Sequence, residues 1–210
     1  FHGTYKPTGL NRTYPNVINF EGVNGQEQTK WCTMQEYDQT TYDVTVPFAR
    51  MFAGPMDYTQ GAMINSTPMS QGTRAHQLAQ YVVFLSPLNM LCDSPTHYEQ
   101  EPECTQFIVG VPTVWDESIA LKSEIGQYVA VARRKGNRWY VGALTNWTPR
   151  DLTLDLSPLR VGGRKADAFY DGINADRTAE DYRREQITIP QDGQLRVHLA
   201  PGGGFAMAVE

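Results

Sequence analysis

The sequence predicts an α/β fold followed by an all-β one: parallel strand-helix units, then an antiparallel β-sandwich. Three observations carry this. Up to about residue 100, short apolar runs suited to strands alternate with helix-like stretches. Beyond it, short alternating runs succeed one another with turn residues between them. Hydrophobic residues are 40% and charged residues 20% of the 210, ordinary for a globular chain that holds one large domain or two small ones.

The first element is "NVINF" (Asn16 to Phe20), a short β-favouring run. "TYDVTVPFARMFAG" places Val44, Phe48, Met51 and Phe52 at helical spacing, with Gly54 as a stop. Pro47 is awkward in a helix interior, so that helix starts irregularly or begins late. "GPMDYTQGAM" reads as a short strand or loop. "TRAHQLAQYVVFLSPLNML" is the clearest helix, striped by Leu78, Tyr81, Val82 and Leu85 and bent or ended by Pro87. The boundary falls in "SPTHYEQEPEC", which gives parts 1–100 and 101–210.

In the second part, "QYVAVARRKGNRWYVGALTNW" holds two strands around the turn Lys135-Gly136-Asn137. "DLTLDLSPL" alternates, with Leu152, Leu154 and Leu156 on one face. "ADAFYDG", "QITIP", "QLRVHLA" and "GFAMAVE" complete the strand series. This part can bury a core of its own. The first part has about three strand-helix units, whereas a closed (β/α)8 barrel needs about 250 residues. Alone it would leave strand edges and apolar helix faces uncovered. The opening "FHGTYKPTGL" reads like the end of a strand already under way, so the chain is expected to be a piece of a longer protein.

Composition excludes some partners. A net charge of −5 offers no footprint for nucleic acid, and the run Arg133-Arg134-Lys135 reads as a solvated hairpin tip. No apolar run reaches the roughly 18 residues that cross a membrane. Cys32, Cys92 and Cys104 make no disulfide framework; Cys92 and Cys104 bracket the polar loop "DSPTHYEQEPE" and are either free thiols or, in an oxidising compartment, a bridge. The four histidines have no zinc spacing, and the Asn-x-Ser/Thr matches at Asn11, Asn65 and Asn146 are short enough to arise by chance.

The chemistry concentrates in "NFEGVNGQEQ", where Glu21 and Glu27 stand six apart with Gly22 and Gly25 between them. Residues six apart do not share a helix face, but a loop with two glycines lets both carboxylates aim at one point. Three readings stay open: two solvated glutamates, a pair holding a hard cation such as Ca²⁺, or one protonated general acid.

"HGTYKPTGLNRTYPNVINFEGVNGQE", "TTYDVTVPFARMFAGPMDYTQGAM", "SPLNMLCDSP", "VPTVWDES", "YVAVARRKGNRWYVGALTNW" and "DGINADR" together resemble the C-terminal portion of glycoside hydrolase family 97, over essentially the whole chain. The resemblance implies the last units of a (β/α)8 TIM barrel followed by the family's C-terminal β-sandwich. It implies an exo-acting α-glycosidase that uses Ca²⁺, with an oligosaccharide substrate and a periplasmic or secreted location. By that resemblance Glu27 matches the catalytic acid and lies in or beside the metal shell. Glu21 matches a calcium ligand, and His2 a histidine that contacts the sugar. Inverting members carry a glutamate directly after that histidine; here stands Gly3, as in the retaining branch associated with α-galactosidase activity. The retaining nucleophile, an aspartate on an earlier barrel strand, then lies outside these residues, so the remainder of the barrel is the partner the site requires and the isolated chain is expected to be inactive.

Other residues carry paired readings. Lys6 either reaches sugar hydroxyls or is surface; Arg12 and Tyr14 either shape the pocket or pack. Asp57 and Tyr58 either face the site or form a buried network. Trp115, Trp139 and Trp147 read as core rather than as a sugar platform. The alternatives to an α-galactosidase are an α-glucosidase of the same family and a carbohydrate-binding or structural module without activity.

Overall fold

Parallel pairing organises the first hundred residues of the computed structural model, which describes residues 1–30, 36–65 and 70–210. The Phe1 ammonium donates to the Asn19 carbonyl and the Glu21 N–H donates back to the Phe1 carbonyl, both at 2.8 Å. That is the bonding of parallel neighbours. Phe20 in turn bridges Met56 in parallel, and strand β1 (Thr59–Gln60) runs parallel to β2 (Met90–Leu91). The expected strand over Asn16 to Phe20 is thus reduced to a bridge at Phe20.

Short helices fill the connections: α1 (Leu10–Thr13), a 3₁₀ turn (Gln26–Lys30), α2 (Gln39–Asp43) and α3 (Val46–Ala49). The helix expected over Thr41 to Gly54 is broken, with Pro47 in the first turn of α3 where its missing N–H costs nothing. Its apolar stripe does not share one buried face: Val44 is buried, while Phe48 and Phe52 are exposed.

The helix α4 (Arg74–Val83) begins where Thr73 accepts the His76 N–H at 3.1 Å and stops at Phe84, ahead of Pro87. All ten of its residues are buried, polar ones included. Two further helices, α5 (Pro95–Gln100) and α6 (Pro102–Gly110), occupy the segment read as a polar loop. That expectation missed Ser94, whose hydroxyl caps α5, and the prolines that open both helices. Cys92 and Cys104 form no disulfide, and Cys32 lies outside the described residues.

The remainder is antiparallel. Strands β3 (Glu117–Glu124), β4 (Tyr128–Lys135), β5 (Arg138–Thr145), β6 (Arg150–Asp155), β7 (Lys165–Asp171), β8 (Tyr182–Thr188), β9 (Gln194–Leu199) and β10 (Gly204–Val209) form a six-stranded sheet, order β3-β4-β5-β10-β7-β8, and a β6-β9 pair. Leu152 and Leu154 sit opposite Val197 and Leu195, and with Trp139, Val141, Phe205 and Met207 they fill the space between the two sheets. The alternation in "DLTLDL" had placed these leucines correctly. Strand β3 was not anticipated.

The other face of the large sheet is also covered. α4 lies against it where Gly142 and Gly204 remove the Cβ: a Cβ at Gly142 would stand 2.9 Å from the Ala79 carbonyl oxygen, and one at Gly204 2.5 Å from the His76 Cα. Leu78, Val82, Tyr140, Leu144, Phe169 and Ala206 pack in this second core. Arg133 fastens it. Far from being solvated at the hairpin tip, it is 5% exposed and donates to the carbonyls of Val82 (2.6 Å) and Val83 (2.9 Å) at the end of α4. Burial lowers its pKa to about 10, which leaves it charged at neutral pH. Arg134 and Lys135, by contrast, stay at the surface, paired with Glu117 and Asp116.

Asp171 ties the same junction. It accepts from the hydroxyl of Thr73 ahead of α4 and from the N–H groups of Ala200 (2.8 Å) and Gly204 (3.0 Å). Burial nonetheless raises its pKa above the ordinary carboxylate value. A raised folded-state pKa means that its contribution is full at low pH and is lost as pH rises through the raised value. Asp171→Asn is therefore expected to gain ground on the parent as pH climbs out of the carboxylate range. Paired melting curves from acid to neutral pH check this, and a variant whose stability relative to the parent stays flat or falls with rising pH would contradict it.

Candidate functional site

The loop Phe20 to Glu27 is shaped from both ends. Arg50, buried, donates to the carbonyls of Phe20 (2.8 Å), Glu21 (2.9 Å), Gly54 (3.0 Å) and Pro55 (3.2 Å), so one guanidinium pins the Glu21 backbone to the start of the next strand. Burial lowers the Arg50 pKa somewhat. Gly22 has a φ of 52°, and a Cβ there would strike the Lys6 nitrogen at 2.6 Å, so only glycine lets the first residues cross over the loop. Gly25 has a different task. A Cβ at that position would lie 2.2 Å from Glu27 Oε2, so the missing side chain makes room for the carboxylate itself.

Within this frame His2, Glu21 and Glu27 converge, each offering a ligand atom within 4.8 Å of the others'. Glu21 is buried, and one of its oxygens accepts the Gly3 N–H in a short bond. Its other oxygen lies 3.6 Å from His2 Nε2, and His2 Nδ1 lies 3.1 Å from Asp57 Oδ2. Glu27 rides on the 3₁₀ turn that follows Gly25. Both of its carboxylate oxygens are shielded and meet no hydrogen-bond donor among the described residues, and the same holds for Asp57 Oδ1. Buried acceptors are normally satisfied. The unmatched oxygens of Glu27, converging with the Glu21 carboxylate, make a donor set suited to a hard cation, with the imidazole engaged by Asp57 beside it.

Lys6 is exposed next to Gly22, and Arg12 and Tyr14 are exposed as well. Asp57 and Tyr58 part company: Asp57 joins the site through His2, while Tyr58 turns into a buried network under the loop. Its hydroxyl donates to Asp43, and burial followed by that carboxylate raises its pKa well above the ordinary value. Trp139 is core and Trp115 packs edge-on against Tyr140; Trp147 stays partly exposed and donates to Asp38 at 3.0 Å. Sequence reasoning missed Arg50, Asp43 and His76, whose partners are remote in the chain.

Residues 114–210 match the family described as "Glycosyl-hydrolase 97 C-terminal, oligomerisation". The whole chain is 57% identical to a retaining alpha-galactosidase of Bacteroides thetaiotaomicron, covering 33% of it, and 98% of the chain is matched at 29% identity by a probable retaining alpha-galactosidase of Streptomyces bingchenggensis, covering 30% of that protein. It also superposes on a glycoside hydrolase family 97 enzyme from a Pseudoalteromonas strain in complex with panose, with a TM-score of 0.88 and 36% identity over all of this chain and 34% of that one. The chain thus spans about a third of the length of the relatives it matches. Residues 114–210 thus carry the C-terminal domain of glycoside hydrolase family 97, and the chain is similar over its full length to a C-terminal third of enzymes of that family.

Proposed function

We propose that this chain is the part of a calcium-dependent, exo-acting, retaining α-galactosidase that supplies the proton donor, with residues 1–100 as the closing units of a (β/α)8 barrel and 101–210 as its sandwich. The observation that carries the reading is the convergence of His2, Glu21 and Glu27 around the donor-free carboxylate of Glu27. The parallel contacts through Phe1, Phe20, Met56 and β1–β2 support the barrel assignment.

Glu27 and Glu21 would hold the cation, which supplies positive charge beside the reacting sugar when bound. Glu27 protonates the departing glycosidic oxygen, then takes a proton from the water that releases the product. His2, steadied by Asp57, and Lys6 contact the sugar. Gly3 supports retention: with glycine directly after His2, no carboxylate from this position activates a water. A retaining site instead brings a nucleophile to about 5–5.5 Å from the acid. That nucleophile comes from the remainder of the barrel.

NMR of the first-formed anomer, run with the complete enzyme on nitrophenyl α-galactoside and α-glucoside, tests the reading. Retained α-galactose supports it; an inverted product or preference for the glucoside overturns the corresponding part. Calcium is tested separately. Chelation should lower the melting temperature and calcium restore it, since a ligand at 100 times its Kd stabilises by about 2.7 kcal/mol. Glu21→Gln should shrink that response. A chain that responds to galactose but not to calcium would be a binding module instead.

A further inference from the structure

Beneath the Glu27 loop lies a polar cluster that the proposed chemistry does not use. Asp43, at the end of α2, is 0% exposed and accepts from five side chains. Tyr58 Oη and Gln39 Nε2 (3.0 Å) reach Oδ1; Gln80 Nε2 (2.7 Å), His76 Nε2 (3.1 Å) and Gln26 Nε2 (3.4 Å) reach Oδ2. His76 is equally buried, and its Nδ1 lies 3.1 Å from the Gly203 carbonyl at the start of β10. Both ring nitrogens face acceptors, and only a ring that donates from both satisfies both. The ring is therefore held at both ends, by the Asp43 carboxylate and by the sandwich.

Two of the five donors belong to the acid's own neighbourhood. Gln26 immediately precedes Glu27, and Gln39 also donates to the Asn24 carbonyl at 3.2 Å. A connected route thus runs from Gly203 through His76 and Asp43 to both sides of Gly25. We propose that the His76–Asp43 pair is a positioning device for the acid: docking of the sandwich on α4 orients His76, which fixes Asp43, which holds the loop that aims Glu27. Neither residue is catalytic, since neither faces the His2–Glu21–Glu27 cluster. The inference rests on Glu27 being the acid.

The test separates aim from mere stability. General acid assistance matters for a poor leaving group and not for fluoride, which departs without a proton. In the complete enzyme, His76→Gln should reduce kcat/KM, which reports the first step alone, by at least tenfold on an alkyl α-galactoside and leave kcat/KM on α-galactosyl fluoride within about threefold. Glu27→Gln is the reference and should show the same selectivity, more strongly. If Glu27→Gln is selective and folded His76→Gln is not, losing both activities equally or neither, the positioning role is overturned. If Glu27→Gln itself is unselective, the functional reading fails first. Should His76→Gln not fold by circular dichroism, Gln39→Met, which removes one donor at similar volume, takes its place and is decided by the same comparison.

Discussion

Glu27→Gln in the complete enzyme is expected to lower kcat on unactivated α-galactosides by about 10² to 10⁴, the span general acid catalysis supplies. The cause lies in the space beside Gly25. Its missing Cβ admits the Glu27 carboxylate, and among the described residues no donor meets either oxygen. A glutamine of the same shape fits that space and keeps one oxygen toward the cation, so the loop and the metal site change little. What the amide cannot do is give up a proton at neutral pH. The loss in the first step should fall on leaving groups that need protonation, while the second step, which needs Glu27 as base, should slow for every substrate. A kcat near the parent value, with calcium response intact, would remove Glu27 from the chemistry. A loss accompanied by a collapsed calcium response would assign it to the metal alone.

How much of this was legible before the structure depended on whether a residue's partners lay nearby in the chain. The leucines of β6 announce their face by alternation, and the Gly136-Asn137 turn announces its hairpin. Strand β3 gave weaker signals: it is an edge strand whose only inward residues, Ile119 and Leu121, stand among Glu117, Lys122 and Glu124. Arg133 looked like part of a basic turn because nothing in "ARRKG" says that one of the three cations points inward to a helix end fifty residues earlier. Likewise α4 showed its stripe of Leu78, Tyr81 and Val82 but not that its opposite side is also buried, since nothing nearby in the chain announces partners for Arg74, His76, Gln77 and Gln80. Burial of polar residues follows from partners, and partners are tertiary. The spacing of Glu21, Gly22, Gly25 and Glu27 left three readings open, and likeness to a known family singled out His2, 19 residues before Glu21.

The second large effect belongs to Asp43. Asp43→Ala removes the acceptor of five buried donors at once and leaves the His76 ring without its carboxylate. Leaving a buried donor without its acceptor costs about 1–3 kcal/mol for each group. Against a typical total stability of about 5–15 kcal/mol, the loss of several such partners at once is a large share of what holds the structure together. Asp43→Asn should cost less. It preserves the shape and one accepting oxygen, but it turns an amide N–H₂ toward groups that are themselves donors. Urea midpoints should therefore fall from the parent to the asparagine variant and again to the alanine variant, in the order of acceptors left. Because α2 touches the loop from below while α4 touches the sandwich, the same change should loosen both at once, with hydrogen exchange rising around Asn24 to Glu27 and around Gly203 together. If Asp43→Ala lowered stability by less than about 1 kcal/mol, the cluster would have to be reached by water, and the donors would be satisfied without the carboxylate.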